Sequence, residues 1–191
     1  MKILIVSGFL GAGKTTFIKR LARNVDQRFA ILENEYGAAG IDGARLGQNR
    51  QGTQKNVWEM TEQCICCIGK KDFAASVLTI ANVVDPEYLI VEPTGVGSLA
   101  RIIENLRQIE YERIQLLSPV TIVDVYSYRR YMAEYPELYQ DQIRSADTII
   151  VSKTEACQAE EKQRIQKFLQ EINSQAKIIT DYASTMTRED Y

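Results

Sequence analysis

A glycine-rich segment near the start of the chain has the composition of a phosphate-binding loop. Residues 8–16 read Gly-Phe-Leu-Gly-Ala-Gly-Lys-Thr-Thr and match the pattern G-x-x-x-x-G-K-[ST]. Glycines allow main-chain N–H groups to turn inward around phosphates, and the N-terminus of the following helix adds positive potential. Lys14 would reach the β- and γ-phosphates, and Thr15 would place its hydroxyl on Mg²⁺. The nucleotide-binding residues predicted in this loop are Gly8, Gly11, Ala12, Gly13, Lys14, Thr15 and Thr16.

Acidic residues stand at the ends of several hydrophobic runs of strand length. Glu33 and Glu35 follow the second run, Glu92 ends the third, and Asp124 ends the fourth. Nucleotides in open α/β sheets bind beyond the carboxyl ends of the strands, so we expect these acids around one site. Glu92 is predicted to serve Mg²⁺ together with Thr15, in the manner of a Walker B acid. A loop cap is the alternative role for any single one of these acids.

The segment after the third run adds a candidate switch glycine. In Glu92-Pro93-Thr94-Gly95, the N–H of Gly95 is predicted to contact the γ-phosphate. Lys14, Glu92 and Gly95 are therefore the predicted catalytic residues. No arginine finger and no glutamine that would orient water is evident in the sequence, so we expect hydrolysis by the chain alone to be slow.

A predicted base-reading segment follows the fifth run, where Ser152-Lys153-Thr154-Glu155 occupies the place of the Asn-Lys-x-Asp motif common in GTPases. A carboxylate at the last position accepts hydrogen bonds from guanine N1–H and the 2-amino group, whereas adenine lacks that amino group. Glu155 keeps the charge on a longer side chain, and the Lys153 stem can cover the base. Ser152 lacks the amide that buttresses this loop. A capped helix start is the alternative interpretation.

Three of the four cysteines lie together in Cys64-Ile65-Cys66-Cys67, which favours a metal site over a disulfide framework. Thiolates are soft ligands that select Zn²⁺, Cu⁺ or similar ions. Because the chain contains no histidine, a fourth ligand must be a carboxylate or water, and Glu35 is a candidate. Buried free thiols acting as small hydrophobes are the alternative. Cys157 stands apart and is predicted to be structural.

Alternating strands and helices must position these residues. Most strand candidates are continuous Ile/Leu/Val runs, which is typical of strands buried on both faces of a parallel sheet. They are Ile3–Ser7, Phe29–Glu33, Tyr88–Glu92, Val120–Asp124, Thr148–Val151 and Lys177–Thr180, with a further short strand over Asn56–Met60. The alternation predicts an α/β fold, namely a three-layer P-loop NTPase domain with a mainly parallel central sheet.

Helical periodicity fills the intervals between these runs. Apolar residues share one helical face in four stretches, namely Phe17, Ile18, Leu21, Ala22 and Val25; Phe73, Val77, Leu78 and Ala81; Leu99, Ile102, Ile103 and Leu106; and Ile165, Phe168, Leu169 and Ile172. The glycine-containing segment Tyr36–Lys55 has no clear period. It is interpreted either as a surface loop or as a segment that becomes ordered only when nucleotide binds.

Composition sets the broad class of the protein. The 191 residues are 45% hydrophobic and 25% charged, which suits one domain with a hydrophobic core. The net charge of −2 gives no reason to expect binding to nucleic acid or a membrane, and no apolar run reaches membrane-span length. The short apolar start does not resemble a signal peptide. We therefore expect a single P-loop GTPase domain over residues 1–191, located in the cytoplasm where thiols stay reduced.

Together these motifs resemble the CobW family of P-loop GTPases, which includes metal chaperones. The resemblance spans nearly the whole chain and rests on Gly8–Thr16, Glu33–Gly37, Ile41-Asp42-Gly43, Cys64-x-Cys66-Cys67, Glu92–Gly95, Val123-Asp124, Gln142-Ile143-x-x-Ala146-Asp147 and Ser152-Lys153-x-Glu155. Gln63 stands where family members often have glycine. Family members usually continue into a C-terminal domain and many carry histidine-rich stretches. Both are absent from this sequence, so it corresponds either to a minimal member or to the GTPase half.

The resemblance implies a GTP-binding and GTP-hydrolysing metallochaperone that delivers a metal, often Zn²⁺ or Co²⁺, to a client protein. The implied metal ligands are Cys64, Cys66 and Cys67. GTP, Mg²⁺ and the transported metal are the expected cofactors, and a metal-requiring client protein or a second copy of the chain is an expected partner. Two alternatives stay open: a small-molecule kinase with Glu92 or Asp124 as its base, and a non-catalytic metal-binding module stabilised by nucleotide.

Overall fold

The computed structural model describes residues 1–24, 27–33, 57–61 and 70–181. Strands and helices alternate along these residues. The strands are β1 (Lys2–Gly8), β2 (Phe29–Glu33), β3 (Val57–Thr61), β4 (Tyr88–Glu92), β5 (Gln115–Leu116), β6 (Val120–Asp124), β7 (Thr148–Ser152) and β8 (Lys177–Ile179). The helices are α1 (Lys14–Asn24), α2 (Lys70–Val83), α3 (Leu99–Arg107), α4 (Tyr128–Glu134), α5 (Pro136–Arg144) and α6 (Ala159–Ile172).

The strands form one parallel sheet in the order β3-β2-β4-β1-β6-β7-β8, and the short strand β5 pairs with β1. Strand β1 pairs with β4 along its first half and with β6 along its second half, where Val6 lies opposite Val120. Because all these ladders are parallel, the carboxyl ends of β4, β1, β6 and β7 lie side by side at one edge of the sheet. The loops that follow these strands are thereby brought to a common site.

Strand β1 is buried on both faces, as its continuous apolar run predicts. Ile3 and Ile5 pack into one core, and Leu4 and Val6 pack into another. Full burial of such a side chain stabilises the fold by roughly 1.5–3 kcal/mol, so this short strand contributes strongly to the stability of the fold. The core that contains Leu4 and Val6 also contains the buried face of α1. The core that contains Ile3 and Ile5 also contains residues of α2, α3, α5 and α6. The predicted three-layer α/β fold is therefore confirmed.

Two helices and one short strand in the described part of the chain were not predicted from the sequence. Helices α4 and α5 follow β6 and are separated by Tyr135, with Pro136 at the start of α5, where a missing N–H is tolerated. The chain places Tyr128, Tyr131, Tyr135 and Tyr139 at intervals of three and four residues. That spacing is helical, but tyrosine is an ambiguous signal of burial because its ring is apolar and its hydroxyl is polar. Strand β5 has only two residues and carries no periodic signal.

None of the helices in the described part of the chain is both long enough and apolar enough to cross a membrane.

Candidate nucleotide-binding site

The predicted phosphate loop connects β1 to α1. Gly8, Gly11 and Gly13 adopt positive φ angles of 146°, 71° and 102°. At Gly8 the glycine is also required by space, because a Cβ there would lie 2.5 Å from the main-chain oxygen of Ile122 in β6. The loop can therefore turn while β1 stays paired with β6 to its last residue.

Lys14 is buried inside this loop, with 9% of its surface exposed. Its Nζ donates hydrogen bonds to the main-chain oxygens of Gly8, at 2.9 Å, and Phe9, at 3.4 Å. These carbonyl oxygens offset part of the cost of burying the ammonium group. The charge is thus held at the centre of the loop. Thr16 lies at the start of α1 with an exposed side chain.

The two residues predicted to serve Mg²⁺ come together across the sheet edge. Thr15 Oγ1 lies 3.5 Å from Glu92 Oε1, although the residues are 77 positions apart in the chain. Mg²⁺ prefers hydroxyl, carboxylate and phosphate oxygens, so this donor set fits that ion. Glu33 lies opposite Glu92 in the β2–β4 ladder and is partly buried. It is thus one strand further from Thr15 than Glu92 is.

The loop after β4 touches the tip of the phosphate loop through main-chain atoms. A Cβ on Gly95 would lie 2.7 Å from Leu10 N and 3.1 Å from Phe9 C. Only a glycine allows the two loops to approach this closely. The Gly97 N–H donates to Thr94 O at 3.0 Å and closes a turn. The contact of the Gly95 N–H with a γ-phosphate remains a prediction, but the structure places this glycine against the phosphate loop.

Helix α5 supports this loop from the interior. The side chain of Gln142 is buried, and its Nε2 donates to the main-chain oxygens of Gly95, at 3.1 Å, and Gly97, at 3.0 Å. The neighbouring Asp141 accepts hydrogen bonds from Leu99 N, at 2.7 Å, and Ala100 N, at 3.4 Å. Those are N–H groups of the first turn of α3, which have no partner within the helix. Helix α5 therefore holds the middle of the loop and the start of α3.

An aromatic cluster holds the other side of the phosphate loop. The Phe9 ring lies 4.7 Å from the ring of Tyr131 and 5.0 Å from that of Tyr139, measured between centroids. The Tyr131 hydroxyl also donates to Leu10 O at 2.8 Å. These contacts were not predicted from the sequence. Their signal was the helical spacing of the tyrosines, and Phe9 gave none because it occupies a variable position of the loop motif.

The predicted base-reading segment leaves β7 beside the phosphate loop. Ser152 is buried, and its hydroxyl donates to Ala12 O at 2.6 Å. Serine lacks the amide of the Asn-Lys-x-Asp motif, as noted from the sequence. Its hydroxyl nevertheless reaches the phosphate loop, a contact that was not predicted, because Gly13 lies close by. A Cβ on Gly13 would be 3.7 Å from Ser152 Cβ.

The next two residues tie the same segment to the end of β6 and to the residue that follows β8. Lys153 has a positive φ of 62°, and its Nζ donates to Asp124 Oδ2 at 2.8 Å. Thr154 is buried and donates from its hydroxyl to Thr180 O at 2.7 Å. The Glu155 side chain is exposed. The segment is thus fastened on three sides, while the carboxylate predicted to read guanine faces solvent.

Asp124 is a partner of Lys153 in this structure. Burial raises the pKa of its carboxyl group, but hydrogen bonds from Lys153, from the Ser127 hydroxyl and from Tyr126 N outweigh burial, so the net pKa lies below 3.8. A carboxylate with a lowered pKa is a weak base. In this structure the Asp124 carboxylate is already occupied by three hydrogen-bond donors.

The predicted transition-metal ligands Cys64, Cys66, Cys67 and Glu35 lie outside the described residues, as do residues 36–55 of the glycine-containing segment. Within the residues that the structure describes, no group of three or more His, Cys, Asp or Glu side chains could hold a metal ion. Cys157 is a free, partly buried cysteine that packs at the edge of the larger core.

Comparison with known sequences places this site in a family. The model of the CobW/HypB/UreG nucleotide-binding domain matches residues 2–180. The zinc chaperone YeiR of Escherichia coli (strain K12) is 30% identical over 178 residues, covering 92% of this chain and 53% of YeiR. The zinc chaperone CobW of Pseudomonas aeruginosa is 27% identical over 194 residues, covering 86% of this chain and 52% of that protein. The chain spans about half the length of these curated relatives.

A solved structure gives the same result for the fold. The Zn(II)-bound YjiA GTPase from E. coli has a TM-score of 0.71 at 22% identity, covering 99% of this chain and 60% of that chain. Because the family match extends over nearly every described residue, the chain belongs to the CobW/HypB/UreG family of nucleotide-binding domains.

Proposed function

We propose that the chain binds and hydrolyses GTP, and that its nucleotide state is coupled to binding of a transition metal and delivery of that metal to a client protein. Zn²⁺ or Co²⁺ is the proposed cargo, and the zinc-chaperone names of the relatives support Zn²⁺ first. The observation that carries the nucleotide part is the 3.5 Å approach of Thr15 Oγ1 to Glu92 Oε1. It joins the phosphate loop to a strand-end acid on the edge that also holds Lys153 and Glu155.

The residues of the chain divide the work on GTP. Lys14 exchanges its main-chain oxygen partners for phosphate oxygens, which are stronger partners because they are charged. Thr15 and Glu92 are the proposed holders of Mg²⁺, which when bound neutralises charge on the phosphates. The Gly95 N–H is proposed to donate to the γ-phosphate. Glu155 accepts from guanine, and a wrong base leaves that carboxylate without its donors.

Metal binding is proposed at Cys64, Cys66 and Cys67, with Glu35 as a candidate fourth ligand. If GTP changes the affinity for the metal by some factor, then the metal must change the affinity for GTP by the same factor. Hydrolysis would then release the metal to the client protein.

The nucleotide part is tested by removing the buried ammonium group. Lys14→Ala is expected to weaken GTP binding about 100-fold or more, as loss of a buried charged partner does. The control is Lys167→Ala, which removes an exposed lysine of α6 and should leave GTP affinity unchanged. Isothermal titration with GTP and Mg²⁺ gives both values. Equal affinity of Lys14→Ala and wild type would end the proposal.

The coupling is tested separately, by titrating Zn²⁺ with and without a non-hydrolysable GTP analogue under reducing conditions. We expect the two Zn²⁺ affinities to differ, and Cys66→Ala to lose Zn²⁺ binding while keeping GTP binding. Cys157→Ala removes a thiol outside the cluster and should bind Zn²⁺ as wild type does. Identical Zn²⁺ affinities in the two nucleotide states would remove the coupling and leave the GTPase.

Turnover distinguishes the remaining alternatives. Release of phosphate from GTP in preference to ATP, without any added acceptor molecule, is expected of the GTPase. Turnover that appears only with a small-molecule acceptor would favour the kinase. Binding of GTP with no turnover, alone or with Zn²⁺, would favour the non-catalytic metal-binding module.

A further inference from the structure

We propose that Asp124 is a positioning residue for the nucleobase: by holding the Lys153 ammonium and the Tyr126 main chain, it shapes the pocket in which Glu155 reads guanine. The inference rests on the proposed function, because it assigns a role within GTP recognition. It extends that function by adding Asp124 and the ring of Tyr126, both of which lie outside the base-reading segment.

Asp124 is the common acceptor of groups from two neighbouring strand ends. Its carboxylate is buried at the last residue of β6, with 6% exposure. Oδ1 accepts from Tyr126 N at 2.9 Å, and Oδ2 accepts from Lys153 Nζ at 2.8 Å and from the Ser127 hydroxyl. A carboxylate is acceptor-only, so its two oxygens suit three donors. One buried side chain thus links the loop after β6 to the loop after β7.

The link has a consequence for the Lys153 backbone. Its φ of 62° lies in the left-handed region that non-glycine residues rarely adopt. Such a conformation persists only where the surroundings hold it, and here Asp124 holds the side chain while Ser152 and Thr154 fasten the flanking residues. Because its ammonium group is held at Asp124, the half-exposed Lys153 side chain is restricted in its conformation.

The link also affects the charge of the pocket. Lys153 and Glu155 are two residues apart, and an ammonium group without another partner would be attracted to that carboxylate. Asp124 satisfies the ammonium instead. The Glu155 carboxylate is then left to accept from the guanine N1–H and 2-amino groups.

Tyr126 adds an aromatic ring beside the same turn. Its side chain is 63% exposed, and its hydroxyl lies 3.6 Å from Cys157 Sγ, two residues after Glu155. Exposed aromatic faces stack on purines without preference for one base. The ring would therefore contribute affinity for a nucleobase, while Glu155 contributes the choice of guanine. Asp124 controls where the ring stands, because it holds Tyr126 N.

Asp124→Asn is the test. An asparagine side chain must direct its NH₂ group either at the Lys153 ammonium or at Tyr126 N–H, so one of the two links is lost. We expect affinity for GTP to fall about tenfold, which corresponds to loss of one charge-assisted bond. Affinity for inorganic tripolyphosphate with Mg²⁺ should stay unchanged, because the phosphate loop is intact. The control is Asp181→Asn, which breaks another Lys–Asp pair, with Lys162, and should change neither affinity.

A second variant covers a failure of Asp124→Asn to fold. Lys153→Met removes the partly exposed half of the pair and should give the same selective loss of GTP affinity, whereas Lys153→Arg, which can still pair with Asp124, should restore it. Wild-type GTP affinity in Lys153→Met would overturn the inference. Where Asp124→Asn folds and the pair acts as a unit, the double variant Asp124→Asn/Lys153→Met loses no more affinity than either single variant. Additive losses would overturn the inference.

The outcomes separate the inference from the function beneath it. A wild-type chain that binds GTP no better than tripolyphosphate contradicts the proposed function itself. A wild type that prefers GTP, with an Asp124→Asn variant that equals it, overturns the inference alone. Equal loss of GTP and tripolyphosphate in that variant also overturns it, since the role of Asp124 would then be structural.

Discussion

The two sides of the nucleotide site are held in different ways. On one side of β1, the phosphate loop meets the loop after β4 through main-chain atoms, with Gly95 against Leu10 and the Gln142 amide on two carbonyl oxygens. On the other side, side chains meet side chains or single carbonyl oxygens, as in the Lys153–Asp124 pair. Ser152 is a link between the two sides, because its hydroxyl reaches Ala12 O.

The difference follows from what each side binds. Phosphate oxygens accept hydrogen bonds from main-chain N–H groups, which every residue supplies, so the requirement falls on backbone shape and hence on glycine. A base edge needs donors and acceptors at set positions, which only directed side chains supply. The phosphate side should therefore be most sensitive to added volume, and the base side to lost polar atoms.

The largest effect is expected from a methyl group on the phosphate side. Gly8→Ala would place Cβ 2.5 Å from Ile122 O at a φ of 146° and separate β1 from β6. We expect a loss of about 3 kcal/mol or more in the free energy of unfolding. Gly11→Ala is the matched control, because φ is 71° but nothing lies within 4 Å of a Cβ, so about 1–2 kcal/mol of strain is expected. Urea unfolding of both variants measures these losses. Equal losses would contradict the view that the Cβ of Gly8→Ala destabilises the fold by its contact with Ile122 O.

The next effect concerns a side chain that supports main-chain atoms. Gln142→Met keeps volume but leaves the oxygens of Gly95 and Gly97 without this donor, so we expect about 1–3 kcal/mol of destabilisation. Turnover of GTP should fall more than GTP affinity does, because the loop that carries Gly95 loses its support. Gln140→Met on the same helix removes only a 3.8 Å contact with Met132 Sδ. If both variants behave alike, Gln142 has no special role.

A smaller effect tests the link between the two sides. Ser152→Ala removes the hydroxyl bonded to Ala12 O and should cost about 1 kcal/mol of stability. Because the bond touches the phosphate loop, we expect weaker binding of both GTP and tripolyphosphate. Thr154→Val loses the bond to Thr180 O instead and should weaken GTP alone. Titration of each variant with GTP and with tripolyphosphate measures these losses. If both variants lost affinity for the same ligands, the distinction between the two sides would be contradicted.

The smallest effect is the pH dependence of the base side. The pKa of Asp124 is lowered in the folded chain, so its contribution to stability is present above the ordinary value of 3.8 and is lost as the pH falls through the folded pKa. The stability difference between wild type and Asp124→Asn should therefore be constant near neutral pH and shrink below pH 3.8. Denaturant melts of both proteins across this range measure it. A difference that grows on acidification would mean that the pKa shift has the opposite sign.

The sequence predicted most of the sheet, because buried parallel strands leave continuous apolar runs that need no knowledge of neighbours. It also predicted the approach of Thr15 to Glu92, since Thr15 belongs to the phosphate-loop motif after β1 and Glu92 ends the neighbouring strand β4. It failed for α4 and α5, whose apolar positions are largely tyrosines and whose packing against Phe9 involves a distant loop. The hydrogen bond from the Ser152 hydroxyl to Ala12 O was not predicted, because it requires the close approach of Gly13 to the end of β7.

What the sequence by itself determined is the set of features encoded within a few residues: the phosphate loop, the strand-end acids and the buried runs. What only the tertiary structure decided is which of these features meet. Ser152 and Ala12 are 140 residues apart, and Tyr131 and Leu10 are 121 apart. Such contacts depend on the strand order β4-β1-β6-β7, and that order is set by packing of the whole sheet against its helices rather than by any local pattern.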